Sequence, residues 1–564
     1  MVNSVRIAWG AVAATALMAP LTLSAQEVRG RIVAEGGLNE PIEGAIVTLL
    51  DTGGATVNAV FTNELGIFRL TAVSVGEYHV RVDRIGFQRW ESDPFDLGEG
   101  APLMVEFEIP ILPVRLADLD VSIHRQCVDN PRDAAEVELV WDEARKALES
   151  QLLAQTMQLF RFSSVVFNRS MSARGRDIIG VTTFAAEGVS QAPFRSLAAT
   201  KLSADGYIQE EGETVYYYAP DATVLLSDTF QADHCFGLDR EERDGQTFVG
   251  LTFEPRDGRD LPDIKGVLWL DETTNALDHV EFRYENIPYR GVNDKRIAGV
   301  VEYGRLPTGA FIVRDWYIRM PTLLHDDRRN RYQIDGFVEY GGELRDVSEP
   351  EGGAVDWRVG AGVTGAITNT MTGAPLRDAT LVLDPPRGDD QIRHTGPNGE
   401  FFFDGLEPGT YELELRHALF NTIDFDPPQI EFELSAGERR DVSFDLPDPG
   451  EILTDLCGEE AEGTAVIVGR VRDRETLFPL NRALVWAEWT ELSQSSEPAE
   501  AHGRIVVQSD DTRASRAGYF ALCDIPIGLD IALQVSAQGG RNAAQGLRTA
   551  RIVNFADLRL DPSR

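Results

Sequence analysis

Histidine and cysteine are scarce in this chain: eight and four among 564 residues. None of the histidines opens a His-x-x-Glu or His-Glu-x-x-His pattern, the spacings that set ring nitrogens and a carboxylate around zinc. No Gly-x-Ser-x-Gly elbow and no Gly-x-x-x-x-Gly-Lys-Ser/Thr loop occurs, so two common signatures of catalysis are missing. No acidic stretch has the spacing of a dedicated calcium loop, Asp510-Asp511 included. Positive charge is also in deficit, 53 Lys and Arg against 91 Asp and Glu, for a net charge of −38. That field repels phosphate backbones, which argues against nucleic acid and favours solubility or a cationic partner. After residue 23 no uncharged apolar run reaches the length of a membrane span. No catalytic residue, no metal and no cofactor is expected.

The N-terminus supplies the first positive signal. Arg6 precedes an uncharged apolar run from Ile7 to Leu23 that ends in Leu23-Ser24-Ala25. This is the layout of a secretory signal, with cleavage after Ala25; an uncleaved anchor is the alternative. Gln26, not Cys, would then come first, so no lipid anchor is expected. In an exported chain an even cysteine count points to disulfides. Four cysteines allow three connectivities. The expected one is Cys127–Cys235 with Cys457–Cys523, each pair within one region; four buried free thiols are the alternative.

Length gives a prior of roughly four domains, and an internal repeat organises them. Gly30, Pro41, Ala45, Gly66, Phe68 and Gly76 recur as Gly365, Pro375, Ala379, Gly399, Phe401 and Gly409. They recur again as Gly469, Pro479, Ala483, Gly518, Phe520 and Gly528. In all three copies Pro to Ala is four residues, Gly to Phe two, and Phe to the next Gly eight. Short β-branched runs such as Ala45 to Leu49, separated by turns such as Gly396-Pro397-Asn398-Gly399, read as antiparallel strands of a sandwich. The third copy carries an insertion between Ala483 and Gly518 that includes the polar stretch Ser493 to His502.

These residues resemble the carboxypeptidase regulatory-like domain, a transthyretin-like β-sandwich. The second copy follows that family's pattern nearly throughout, ending in Leu406-Glu407-Pro408-Gly409-Thr410-Tyr411. The first has Val73 in place of the Leu and continues to Ile85-Gly86-Phe87; the third has Asp530 where the Tyr belongs. The resemblance implies a fold and an accessory or binding role, with carbohydrate or peptide as candidate ligands, and it assigns no ligand residue. Leu116 to Val121 is similar to the segment after such modules in TonB-dependent outer-membrane receptors, but the chain leaves no room for a transporter barrel.

The central region does not repeat. Asp133 to Leu153 has helical periodicity. Gly266 to Asp271 with Ala276 to Tyr284, and Ala298 to Tyr303 with Phe311 to Met320, read as hairpins. The string Gly266 to Phe282 is similar to hairpins of lipoprotein-carrier half-barrels, which implies a sheet around an apolar cavity; a filled core is the alternative. His279 and Glu281 share one strand face and read as a solvated pair; His234-Cys235 reads as a disulfide neighbourhood. The runs Asp239 to Asp244 and Asp326 to Arg329 read as solvated turns. Tyr216-Tyr217-Tyr218 must turn at least one ring to solvent or a cavity, and Trp486 and Trp489 lie near the third copy's insertion.

The expected fold is mainly β and multi-domain: a signal peptide at 1–25, an Ig/transthyretin-like sandwich at 26–113, and a central antiparallel sheet domain with one N-terminal helix at 114–357. A second sandwich follows at 358–447, a linker at 448–463 and a third sandwich at 464–564. The expected function is a non-catalytic exported binding or scaffold protein of the cell envelope, whether periplasmic, outer-membrane-associated or extracellular. Its partner would be an envelope protein, a glycan or an apolar ligand. The alternatives are a periplasmic carrier of a lipid or other apolar ligand, an accessory component of TonB-dependent uptake, and a hydrolase hidden in the central region.

Overall fold

The computed structural model describes residues 26–560, except 37–39, 99, 120–130, 176, 190–193, 195, 213, 244, 359, 371–372, 418–419, 421–425, 447–452, 455, 459–463, 475–478, 494–503, 517, 538–539 and 542–543. The expected signal peptide and Cys127 lie outside the described residues. The chain divides into two compact units, Met1–Leu112 and Pro113–Arg564.

The first unit is a β-sandwich. In one sheet Gln26–Ala34 lies between Ile67–Ala72, antiparallel, and Leu103–Ile109, parallel. The facing sheet runs Thr56–Phe61, Ile46–Asp51, Gly76–Asp83, with the short strands Trp90–Glu91 and Phe95–Leu97 at its edge. Val28, Ile32, Val47, Leu49, Leu70 and Val80 close the core between them.

The second unit holds the same construction twice. Glu400–Leu406, Ala361–Ala366 and Arg439–Asp441 form one sheet of the second sandwich; Gln391–His394, Thr380–Asp384, Gly409–Arg416 and Gln429–Leu434 form the other. In the third, Tyr519–Pro526, Thr464–Asp473 and Val553–Leu560 face a sheet that begins Arg504–Arg513, Leu484–Ser493, Asp530–Ala537. Short turns suggested purely antiparallel pairing. In every copy, however, the last strand returns parallel to the first, a pairing that needs a long crossover and leaves no local trace.

The repeat is explained at the level of atoms. Gly30, Gly365 and Gly469 pair with Phe68, Phe401 and Phe520 across an antiparallel ladder. A Cβ on any of these glycines would come within 2.4, 2.6 and 2.5 Å of the ring. Each ring lies where a side chain would otherwise be, which fixes both residue types. The turn glycines Gly66, Gly399 and Gly518 have φ of 73°, 75° and 78°, and their carbonyls accept from Ile32, Ile367 and Val471 N–H. Tyr78 and Tyr411 each donate the phenol to the carbonyl four residues earlier, at Ser74 (2.9 Å) and Glu407 (2.7 Å). With Asp530 in that place the third copy has no such bond to make.

Among the described residues the central domain holds a separate two-stranded hairpin, Ile208–Glu211 with Thr214–Tyr217, and one antiparallel sheet of nine strands. The order is Ile178–Gly188, Arg161–Ser172, Arg331–Ser348, Phe311–Asp326, Ala298–Arg305, Leu277–Glu285, Asp263–Asp271, Gln246–Pro255, His234–Arg243. Both expected hairpins are present. The expected helix is Pro131–Thr156, but it is not alone: three short helices, Ala199–Asp205, Ala222–Leu225 and Asp228–Asp233, follow it, too short to show a periodicity in the sequence. Alternation gives the sheet two unlike faces. Leu251, Leu268, Val280, Val301 and Trp316 line up across five strands on one face. All five are buried, as are Val140, Ala144 and Leu148 of the helix that packs on the sheet. The opposite face is polar and carries the site described below.

Within the segment expected as a linker, three of the described residues pack inward. Leu453, Leu456 and Cys457 join a hydrophobic cluster that also contains Leu381, Phe403 and Leu413 of the second sandwich and Val466, Val468 and Val553 of the third. Cys457 and Cys523 form a disulfide. The strand Thr464–Asp473 is therefore buried on both faces, Val466 and Val468 toward the shared cluster and Ile467 and Val471 toward its own core.

Candidate functional site

On the polar face of the central sheet, His279, Glu302, Asp315 and Glu343 are successive cross-strand neighbours. Three carboxylates in a row repel one another unless cations intervene. The second sandwich, through Arg393, and the central sheet itself, through Arg345, supply them. Arg393 reaches Asp315 at 3.0 Å, and Glu343 accepts from His394 Nδ1 at 2.6 Å and from Arg345 at 2.7 Å. Arg345 also donates to the His394 carbonyl, and Arg314 pairs with Asp404 at 2.8 Å. Four residues earlier on the strand of Glu343, Glu339 is wholly buried between Arg169 and Arg319 of the two neighbouring strands.

The charge states follow from this packing. Burial alone would raise the Glu343 carboxyl, but Arg345 and His394 overcome it and hold it down at about 2. Burial depresses His394, against the pull of Glu343, so a neutral imidazole donating to a carboxylate is the consistent state. Asp315 moves the other way, to about 7: burial and the carboxylates of Glu302 and Glu343 outweigh Arg393 and Arg314. Beside this joint lies a cleft of about 660 Å³, lined by Glu302, Asp315, Tyr317, Arg393, Asp404 and their neighbours. A second groove of about 680 Å³ continues along the sheet past Val300, Tyr317 and Arg319 to Arg283, Lys265 and Thr252.

A third cavity opens near the end of the central hairpin Phe311–Asp326 and Arg331–Ser348. It measures about 490 Å³ and is walled by Tyr217, Tyr289 and Tyr332 over Met320, Pro321 and Val338. Tyr289 donates its phenol to Glu210 at 2.8 Å. Tyr217 stands edge-on to the buried Tyr284 at 5.3 Å, and Tyr289 meets Tyr332 at 5.1 Å.

The residues singled out in the sequence fall in scattered places. His279 and Glu281 do share the polar face, but His279 is buried rather than solvated, contacting Asp278 (2.7 Å) and Arg243 (3.0 Å), while Glu281 accepts from Trp269 (3.1 Å). His234 Nδ1 bonds the Phe230 carbonyl at 2.9 Å, and Cys235 is a disulfide cysteine. Trp489 packs against the third sandwich core, whereas Asp510 and Asp511 are exposed. The carboxylate of Asp326 caps its own turn by accepting from Arg328 N–H at 3.1 Å. Of the three adjacent tyrosines, Tyr216 is exposed and Tyr217 lines the cavity. Among the described residues no three His, Cys, Asp or Glu converge in a metal-holding arrangement.

Residues 27–110 and 362–447 match the family model of the carboxypeptidase regulatory-like domain. The third sandwich, which shares their strand order, falls outside the matched residues. No curated protein matches the chain. Among solved structures, the chain is similar to BcpA, the major pilin subunit of Bacillus cereus, at 7% identity over 95% of this chain and 99% of that one, with a TM-score of 0.14. The shaft pilin SpaA of Lactobacillus rhamnosus GG gives 9% over 36% and 97%, with a TM-score of 0.14. A streptococcal ancillary pilin gives 12% over 46% and 81%, again at 0.14. TM-scores of this size denote no shared whole-chain arrangement, and the sandwich assignment rests on the strand pairing.

The second regulatory-like module thus supplies Arg393, His394 and Asp404 to the joint, and the unmatched central domain supplies Asp315 and Glu343. No motif in the sequence marks this set. The signal that finds it is a carboxylate at matching parity on consecutive strands, legible only once the register is known.

Proposed function

We propose that the chain is a non-catalytic binding scaffold of the cell envelope, exported through residues 1–25 and mature from Gln26. The observation that carries this reading is the continuity of the second unit. A shared apolar core fuses the second and third sandwiches, and buried ion pairs fasten the second sandwich to the central sheet. Such a body presents fixed surfaces and fits the accessory role of regulatory-like modules. The Cys457–Cys523 disulfide agrees with an oxidising compartment. Pairing of Cys235 with Cys127 and a glycan or peptide partner are part of the proposal. No helix among the described residues is long and apolar enough to cross a membrane.

The carrier reading draws no support from the central sheet, because its apolar face is packed by the helix Pro131–Thr156, with Val140 and Leu148 fully buried. Fractionation of cells expressing the full chain, with crosslinking in place, tests the scaffold reading. The expected result is a mature chain beginning at Gln26 in the envelope fraction, crosslinked to a defined partner. Recovery of an uncleaved chain in the cytosol, with no crosslink, would overturn it.

A further inference from the structure

The tyrosine-walled cavity has features that a filled β-domain does not require. Large aromatic side chains are normally consumed in core packing, yet Tyr217 and Tyr332 are only partly buried, and with Tyr289 they border an open space of about 490 Å³. That volume lies within the usual range of small-molecule sites. The rings are held. Tyr217 is braced edge-on by Tyr284, whose own hydroxyl donates to the Tyr218 carbonyl at 3.0 Å. Tyr289 is tied to Glu210, and Tyr332 is packed by Tyr289 on one side and His325 on another, at 4.8 Å. A ring fixed in advance loses little entropy when a ligand stacks on it.

The chemistry of the lining is that of an amphipathic ligand. The floor of Met320, Pro321, Leu323 and Val338 is apolar, while hydrogen-bonding groups sit on it at intervals: the tyrosine hydroxyls, Thr322 and the Glu210 carboxylate. Among the described residues, Glu210 is the one charged group in the lining. It accepts hydroxyl protons and repels anions, as does a chain of net charge −38. A lipid tail would leave these polar groups without partners. A pyranose ring meets both requirements, with C–H faces for the tyrosines and hydroxyls for the carboxylate.

We propose that this cavity binds an uncharged sugar ring of an envelope or extracellular glycan, with Tyr217 as the stacking platform and Glu210 as the hydroxyl acceptor. The inference rests on the binding-scaffold reading and names its ligand class. The test is calorimetric titration of the mature full-length protein with maltotriose, cellotriose and N-acetylglucosamine trimer. At least one of these binds with a Kd below about 1 mM. Tyr217→Ala then weakens binding about tenfold, as loss of a stacked ring predicts, and Glu210→Gln weakens it less. Tyr217→Phe retains stacking and guards against a folding defect in the alanine variant, with unchanged thermal unfolding as the control. Binding of none of the three sugars, or equal binding by wild type and a folded Tyr217→Ala protein, overturns the proposal. So does tighter binding of an apolar or proline-rich peptide at the same tyrosines. None of these outcomes touches the scaffold reading, which falls only with the fractionation and crosslinking result.

Discussion

Gly365 faces the ring of Phe401 so closely that a methyl group would sit 2.6 Å from it and 2.5 Å from the Val442 carbonyl. Gly365→Ala is therefore expected to destabilise the second unit by about 2 kcal/mol, the usual cost of overpacking a closed core. Denaturant unfolding measures it as a lower midpoint at unchanged slope. Gly546, with nothing within 4 Å of its notional Cβ, is the control glycine, and Gly546→Ala leaves the midpoint in place. These glycines were legible in the sequence because a steric rule stands behind them: the same close approach, made three times, leaves the same residue pair three times. The joint residues were not. Asp315, Glu343, Arg393 and His394 are scattered over nearly 80 positions and recur in no pattern. Removing Arg393 leaves Arg314 to offset burial, Glu302 and Glu343 at Asp315. Arg393→Met is expected to cost about 3 kcal/mol, toward the low end for breaking a buried pair. Asp315→Asn in the same chain restores part of it, a coupling that a double-mutant cycle reads directly.

Strands differ in how plainly they announce their surroundings. Gln26–Ala34 is buried and open by turns over its first half, so Glu27, Arg29 and Arg31 alternate with apolar or small neighbours. Thr464–Asp473 is buried almost throughout and begins with an unbroken apolar run, Ala465-Val466-Ile467-Val468. That run marks a strand covered on both sides. The stretch 448–463 reads as a linker because its polar composition says nothing of Leu453 and Cys457, which pack inward. The disulfide it carries joins positions 66 residues apart. Cys523→Ala is expected to lower stability by about 4 kcal/mol in the chain-entropy model. Reducing the wild-type protein brings it to the midpoint of the reduced variant, which lies below that of the unreduced variant by what the Cys235 disulfide contributes.

At the scale of the molecule, the first unit has a closed core of its own, and the second fuses its sandwiches through a common one. The mature protein is expected to show two calorimetric transitions, and a fragment of residues 26–112 to reproduce one of them. The two should also differ in acid. His417 of the second unit is depressed to about 4, chiefly by burial with Arg470 adding to it and Asp378 opposing. Its folded pKa lies below its unfolded value of about 6.5. The stability it contributes is thus complete above pH 6.5 and is lost as the pH falls through 4. Glu343, held at about 2, gives up its share further down, below the unfolded value near 4.3. Asp315, raised to about 7, works in the opposite sense and favours the folded form most below its unfolded pKa. Relative to wild type, the second transition of His417→Phe is expected to gain melting temperature as the pH falls from 6.5 to 4, and that difference is the outcome to measure.

The two-sided burial of Thr464–Asp473 bears on how far these modules are portable. A sandwich with one wet face can be cut out, moved and spliced elsewhere. The third has given up that autonomy: excised at residue 464, it would display Val466, Val468 and Val553 as a bare adhesive patch and precipitate or pair with its own kind. It is a component fitted to its surroundings, and any shorter version of this protein has to keep the second and third sandwiches together.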